Sequence, residues 1–176
     1  MVRTSPARLV TLTALLALTV TLGGCSTISQ FVSGGSAPER DEETNQVTEA
    51  SDVDVFQLEV GDCLQLDDAT ELSAAAVVPC DEPHTDEIYD EFEMPDGDWP
   101  GSEAVQTAAS EGCYTEFEPF VGLAYEESVL DYSAFTPLEE GWNDPTLQDR
   151  MVQCVIYEPS AEGVVEVSGS LAGSAR

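Results

Sequence analysis

The sequence predicts a small disulfide-stapled α+β domain, with one main helix packed on a mostly antiparallel sheet. Three observations carry this. One stretch, from Ser102 to Val121, repeats its apolar residues at helical spacing. Several shorter stretches alternate or run apolar in the manner of strands. Four cysteines lie among these elements, in a chain that opens like an exported protein. One well-marked helix among several strands is an α+β pattern.

In chain order, Phe56 and Leu58 alternate with Gln57 and Glu59 before Val60-Gly61-Asp62-Cys63, which predicts a short strand turning at glycine. Leu72 to Val78 predicts a buried strand, although alanines are poor strand formers. Glu87 to Phe92 predicts a third strand, and Pro95-Asp96-Gly97-Asp98-Trp99-Pro100-Gly101 a turn. Ser102 is the expected N-cap of the helix, with Glu103 well placed against its dipole. Val105, Ala109, Cys113, Phe117, Phe120 and Val121 fall on one face, and Gly122 ends the helix. Val129 to Phe135 and Met151 to Tyr157 predict two more strands, with Val164 to Val167 a marginal last one.

The first 24 residues read as a lipoprotein signal peptide. Arg3 and Arg8 make a positive start, and Leu9 to Leu22 is apolar but too short and threonine-rich for a membrane span. Leu22-Gly23-Gly24-Cys25 resembles a lipobox, which implies lipidation of Cys25 and anchoring on the outer face of a bacterial plasma membrane. Two or three acyl chains hold stably where one does not. Residues 25–53, rich in Gly, Ser, Pro and acids, are expected to be the lipidated cysteine plus a disordered tether, about 30 Å in r.m.s. span. The folded module is expected at 54–158, with 159–176 a flexible tail.

Charge excludes one class of partner. The chain has no lysine, and beyond the leader three arginines face 35 acids. Phosphate contacts rest on Lys and Arg, so nucleic acid is excluded. The same field repels anionic headgroups, leaving the lipid on Cys25 as the membrane contact. It favours a soluble monomer.

With Cys25 lipidated, Cys63, Cys80, Cys113 and Cys154 remain, and an oxidising location pairs them. Three connectivities are possible. Cys113 on the apolar helix face and Cys154 beside Val152 and Ile156 favour Cys113–Cys154, leaving Cys63–Cys80 to close the first hairpin-like segment. The rival is a reduced zinc site, but the cysteines lack the short paired spacing of zinc folds.

VGDCL (60–64), VPCDEPHTDEIY (78–89), MPDGDWPG (94–101), EGCYTEFEPFVG (111–122), LDYSAFTPLEEGW (130–142) and DRMVQCVIY (149–157) occur in this order. Together they resemble the actinobacterial septum formation domain family, extracytoplasmic modules on lipoproteins and membrane-anchored proteins. The resemblance implies a role in cell division or envelope assembly and carries no catalytic residues with it.

His84 is the sole histidine. As a metal ligand it would draw on neighbours such as Asp86. As a base it would need a nucleophile at a defined spacing, and no such motif is marked. The reading preferred is a corner, with Pro83 fixing a turn and one ring nitrogen donating to the loop. Paired carboxylates could hydrolyse glycans, but no pair is marked. Asp62, Asp67 and Asp68 do not fit a calcium loop. Trp99, and after it Trp142, are the aromatic contact candidates. The reading is a non-enzymatic binding or scaffold module with no cofactor and an extracytoplasmic protein or cell-wall partner. The alternatives are an envelope hydrolase or metal-dependent enzyme, and a sensor module for a membrane kinase.

Overall fold

The computed structural model describes residues 37–66 and 74–176. The leader, Cys25 and the start of the tether lie outside the described residues, as do Asp67, Asp68 and Leu72. Strands β1 (Ser51–Asp54), β2 (Cys63–Gln65), β3 (Ala74–Val78) and β4 (Asp86–Glu93) come before the helix α1 (Ser102–Val121). Strand β5 (Asp131–Phe135), the short helix α2 (Glu139–Asn143) and β6 (Met151–Tyr157) follow. A small hairpin of β7 (Pro159–Ser160) and β8 (Gly163–Val164) comes last. The first six strands form one sheet in the order β1-β3-β2-β4-β6-β5, and every neighbouring pair is antiparallel. The α+β expectation holds. No helix among the described residues is long and apolar enough to cross a membrane.

The sheet is apolar on both faces. Strand β6 shows why: Val152, Cys154 and Ile156 face α1, while Val155 points the other way, and all four are fully buried. On the α1 face, Val105, Ala109, Cys113, Phe117 and Val121 meet Tyr89, Cys154 and Ile156. These are the helical positions that the spacing marked, except that Phe120 is only partly buried. On the far face, Val47 and Leu58, from outside the strands, join Val53, Leu64, Val77, Ile88 and Val155 of the sheet in one buried cluster. A register shift between Ile88 and Asp90 leaves Tyr89 as the extra residue of a bulge. The bulge lets Ile88 enter the far core while Tyr89 and Phe92 turn to the helix. Tyr89 donates its hydroxyl to the Cys113 carbonyl at 2.6 Å. The Phe92 ring lies where a Cβ on Gly112 would be, at 2.5 Å, which accounts for a glycine inside a helix.

Both disulfides form as favoured, Cys63–Cys80 and Cys113–Cys154, with Cα separations of 5.2 and 5.4 Å. The first joins the β2–β3 end of the sheet and the second ties α1 to β6. Chain entropy assigns them about 3 and about 4 kcal/mol respectively.

Several expectations are corrected. The alternation at Phe56 and Leu58 is not a strand. Asp54 accepts the Phe56 N–H at 3.0 Å and winds Val55–Gln57 into a 3-10 turn, with the strand placed earlier, at β1. The cap of α1 is Gly101, whose φ of 94° suits glycine, and Ser102 is already the first helical residue. Gly122 ends the helix as expected, left-handed at φ 82°, donating to the Glu118 carbonyl at 2.8 Å. Beyond Val164, the expected last strand reduces to a single bridge from Val167 to His84.

The largest difference concerns the ends. The folded unit extends beyond 54–158 in both directions. Val47 and Val53 are buried, and Arg40 pairs with Asp62. Residues 165–176 run as a strap to the end of α1, where Gly173 and Ala175 donate to the Phe120 and Val121 carbonyls at 2.8 and 2.9 Å. Those carbonyls have no partner within the helix. Leu171, 2% exposed, closes the α1-side core.

Ending the chain after Glu158 should therefore destabilise the domain. Exposure of the Leu171 site contributes about 2 kcal/mol, and the buried polar groups left unpaired add about 1–3 kcal/mol each. Thermal unfolding followed by circular dichroism should show a clearly lower Tm, and an unchanged Tm would contradict the strap's role.

Candidate functional site

The polar residues that the sequence singles out gather at one corner, where β2, β3, β4 and the strap meet. The Val60-Gly61-Asp62-Cys63 turn is pinned to β4 by two backbone bonds, Gly61 N–H to the Ile88 carbonyl at 2.7 Å and Ile88 N–H to the Asp62 carbonyl at 2.8 Å. The Asp62 side chain is buried. Its oxygens accept both terminal nitrogens of the Arg40 guanidinium at 2.5 and 2.8 Å, and one also takes the Glu59 N–H at 2.9 Å. A forked pair of this kind fixes orientation as well as charge. Asp62 is thus engaged with Arg40, while Asp67 and Asp68 lie outside the described residues.

The Cys80-to-Glu87 stretch folds as a tight corner. Glu82 N–H donates to the Pro79 carbonyl at 2.9 Å, and Cys80 is bonded to Cys63. His84 is fully buried and pairs with Val167 through both backbone groups, at 3.0 and 2.9 Å. Its Nδ1 lies 2.9 Å from the Glu82 carbonyl, which fixes the tautomer with the proton on Nδ1. Its Nε2 is buried without a hydrogen-bond partner. Thr85 donates its hydroxyl to Asp86 at 2.5 Å.

Glu87, 1% exposed, holds the strap: Ser170 Oγ and the Leu171 N–H each donate to one of its oxygens at 2.6 Å. Burial pushes the Asp86 and Glu87 carboxyls above the usual carboxylate range. For Asp86 the Thr85 bond and nearby His84 oppose this, and for Glu87 the Ser170 and Leu171 bonds and His84.

A Glu87 oxygen lies within 4.8 Å of the sulfurs of Cys63 and Cys80. Those sulfurs are bonded to each other, so this cluster offers a metal one carboxylate rather than three ligands. His84 and Asp86, the weak metal candidates, do not join a third ligand-bearing residue among the described residues.

The tryptophans form a separate group. Trp142 is 3% exposed and lies in the core, which overturns it as a contact point. Its indole N–H donates to the Gly97 carbonyl at 2.9 Å, the Arg150 guanidinium sits 3.7 Å over its ring, and Trp99 packs edge-on at 5.4 Å. Trp99 is thereby seated against the core, partly buried. Sequence reasoning missed Arg40, Ser170 and Leu171, each from a segment that composition marks as disordered or flexible. A glutamate within a strand, at Glu87, was the one visible signal.

Fold and corner define a small disulfide-stapled α+β module whose buried polar groups hold its turns and its C-terminal strap. The chain belongs to the septum formation family: the pattern of that family, described as "Septum formation", matches residues 34–176. No curated protein and no solved structure matches the chain.

Replacing His84 with alanine should cost roughly 2–4 kcal/mol, through a cavity and the loss of the Glu82 contact. Thermal unfolding tests this, and an unchanged Tm would remove His84 from the corner's framework. A pH prediction follows from the two raised carboxyls. The folded chain holds their protons more readily than the unfolded chain, so stability falls as pH rises through the raised values. The Tm should rise on acidification from neutral pH into the raised carboxyl range, and Glu87→Gln should make that dependence shallower. An equal slope in the variant would show that Glu87 does not contribute.

Proposed function

We propose that this chain is a lipid-anchored extracytoplasmic binding or scaffold module that acts in septum formation or envelope assembly, and that it is not an enzyme. The observation that carries the reading is the family match over residues 34–176, which takes in the whole folded unit and not one motif. The corner supports the non-enzymatic part. Its sulfurs are joined, its Asp62 is paired with Arg40, and its Glu87 is occupied by the strap, so these reactive groups already have structural partners. The lipobox-like Leu22-Gly23-Gly24-Cys25 supports the anchor.

In mechanism, the lipid on Cys25 holds the chain at the outer face of the plasma membrane, and the stapled domain presents a fixed surface to a protein or wall partner. Such a module works by being stiff: fewer groups need ordering on contact, and affinity benefits accordingly.

A fluorescently tagged full chain should gather at the septum of dividing cells, and a Cys25→Ala copy should lose that position. Uniform envelope signal for the unmodified chain would overturn the division role. Identical positions for both copies would overturn the anchor.

A further inference from the structure

A tyrosine face formed by α1, the turn after it and β5 takes no part in the corner. Tyr114 projects from α1 and is 45% exposed; Tyr125 belongs to the 3-10 turn Tyr125–Glu127; Tyr132 lies on β5, the edge strand of the sheet. Their rings meet edge to face, Tyr114 with Tyr125 at 6.0 Å and Tyr125 with Tyr132 at 5.2 Å. Tyr125 and Tyr132 rest on the buried Phe117 ring at 5.2 and 6.1 Å. The series is fixed from beneath while its outer member faces solvent.

The hydroxyls are held as well. Tyr114 donates to Glu126 at 2.7 Å, Tyr125 to Asp131 at 2.9 Å, and Tyr132 to the Ser110 carbonyl at 3.3 Å. The carboxylate bonds push the Tyr114 phenol up, and the Tyr125 phenol up to about 12, so the hydroxyls stay protonated and the rings lie in a negative field to which Glu118 adds. Among the described residues no arginine side chain is bonded to Glu118, Glu126 or Asp131. Arg40 is on Asp62, Arg150 on Trp142, and Arg176 on Glu158 at 3.0 Å.

An exposed aromatic ring beside carboxylates is the chemistry that takes an ammonium or guanidinium group. The chain makes one such contact internally, at Arg150 and Trp142. We infer that the Tyr114–Tyr125–Tyr132 face docks a lysine- or arginine-bearing segment of a partner protein, with the cation over the Tyr114 ring and its charge met by Glu118 and Glu126. This rests on reading the chain as a binding module and names the chemistry of its partner. A uniformly acidic surface would attract cations everywhere; the rigid rings single out this face.

The test uses the chain from residue 25 onward carrying Cys25→Ala, ¹⁵N-labelled, titrated with a hexa-arginine peptide at about 0.15 M salt, where diffuse attraction is screened. Expected are saturable shifts centred on residues 110–132. Binding should weaken about five- to tenfold in Tyr114→Ala, change little in Tyr114→Phe, which keeps the ring, and change little in Glu103→Gln, a charge control on α1. Shifts spread over the whole acidic surface, or equal affinity in Tyr114→Ala, would overturn the proposal. If either occurs while the tagged chain still gathers at the septum, the docking face fails and the binding-module reading stands. If the shifts centre on the tyrosines but the chain is absent from the septum, the division role fails and the docking face stands.

Discussion

The constraint on which the rest depends is a single sheet with two apolar faces and one long helix to cover them. Strand β6 is buried on both sides, through Cys154 and Ile156 towards α1 and Val155 away from it. Apolar surface left in water costs about 25 cal/mol per Å², so the far face needs a cover. The chain supplies part of it from the segments flanking β1, with Val47 and Leu58 packed in one cluster with Val53, Leu64, Val77 and Ile88. At the other end α1 leaves its last carbonyls open, and the strap closes them with Gly173 and Ala175 while Leu171 completes the core. Segments 37–58 and 165–176 are structural because, among the described residues, they supply the contacts that close those surfaces.

The same need explains three buried acids in a chain so short of cations. Asp62 is matched by Arg40, Asp86 by the Thr85 hydroxyl, and Glu87 by Ser170 and the Leu171 N–H. A buried carboxylate without such partners would be strongly disfavoured. Each acid fastens a neighbouring segment: Arg40 brings in the N-terminal stretch, and Glu87 brings in the strap. With 35 acids in the chain, mutual repulsion opposes compaction. The two disulfides act against this by restricting the unfolded chain.

What was legible in the sequence is what local pattern encodes. The spacing Val105, Ala109, Cys113, Phe117 gave α1, and the apolar run Met151–Tyr157 gave β6 with its boundaries. Placing Cys113 and Cys154 on those two elements gave their pairing. The failures share one cause. Segments 37–53 and 165–176 are small and polar, and they are ordered by backbone hydrogen bonds and isolated apolar contacts to residues far along the chain. Composition records their low hydrophobicity but not those partners. The Phe56–Leu58 alternation failed differently, since a local Asp54 hydrogen bond overrode a two-residue period. Of the corner, the bend before His84 and a ring nitrogen donating to the loop were legible, although the turn bond closes on Pro79, ahead of Pro83. The strap that closes it was not, because nothing near His84 announces Val167.

The corner and the tyrosine face use similar chemistry to opposite ends. At the corner, carboxylates are buried, and each meets a donor from this chain, so the arrangement is closed and yields a stiff frame. At Tyr114, Tyr125 and Tyr132 the carboxylates lie towards the surface, and the donors they receive are phenols, which leave their charge in place. A hydrogen bond from a neutral group orients an anion without neutralising it. The three described arginines are each committed to another acid or ring. In the proposed docking a second molecule brings the charge that complements that face, and the Cys113–Cys154 bridge, which ties α1 to β6, helps hold the rings in place to meet it.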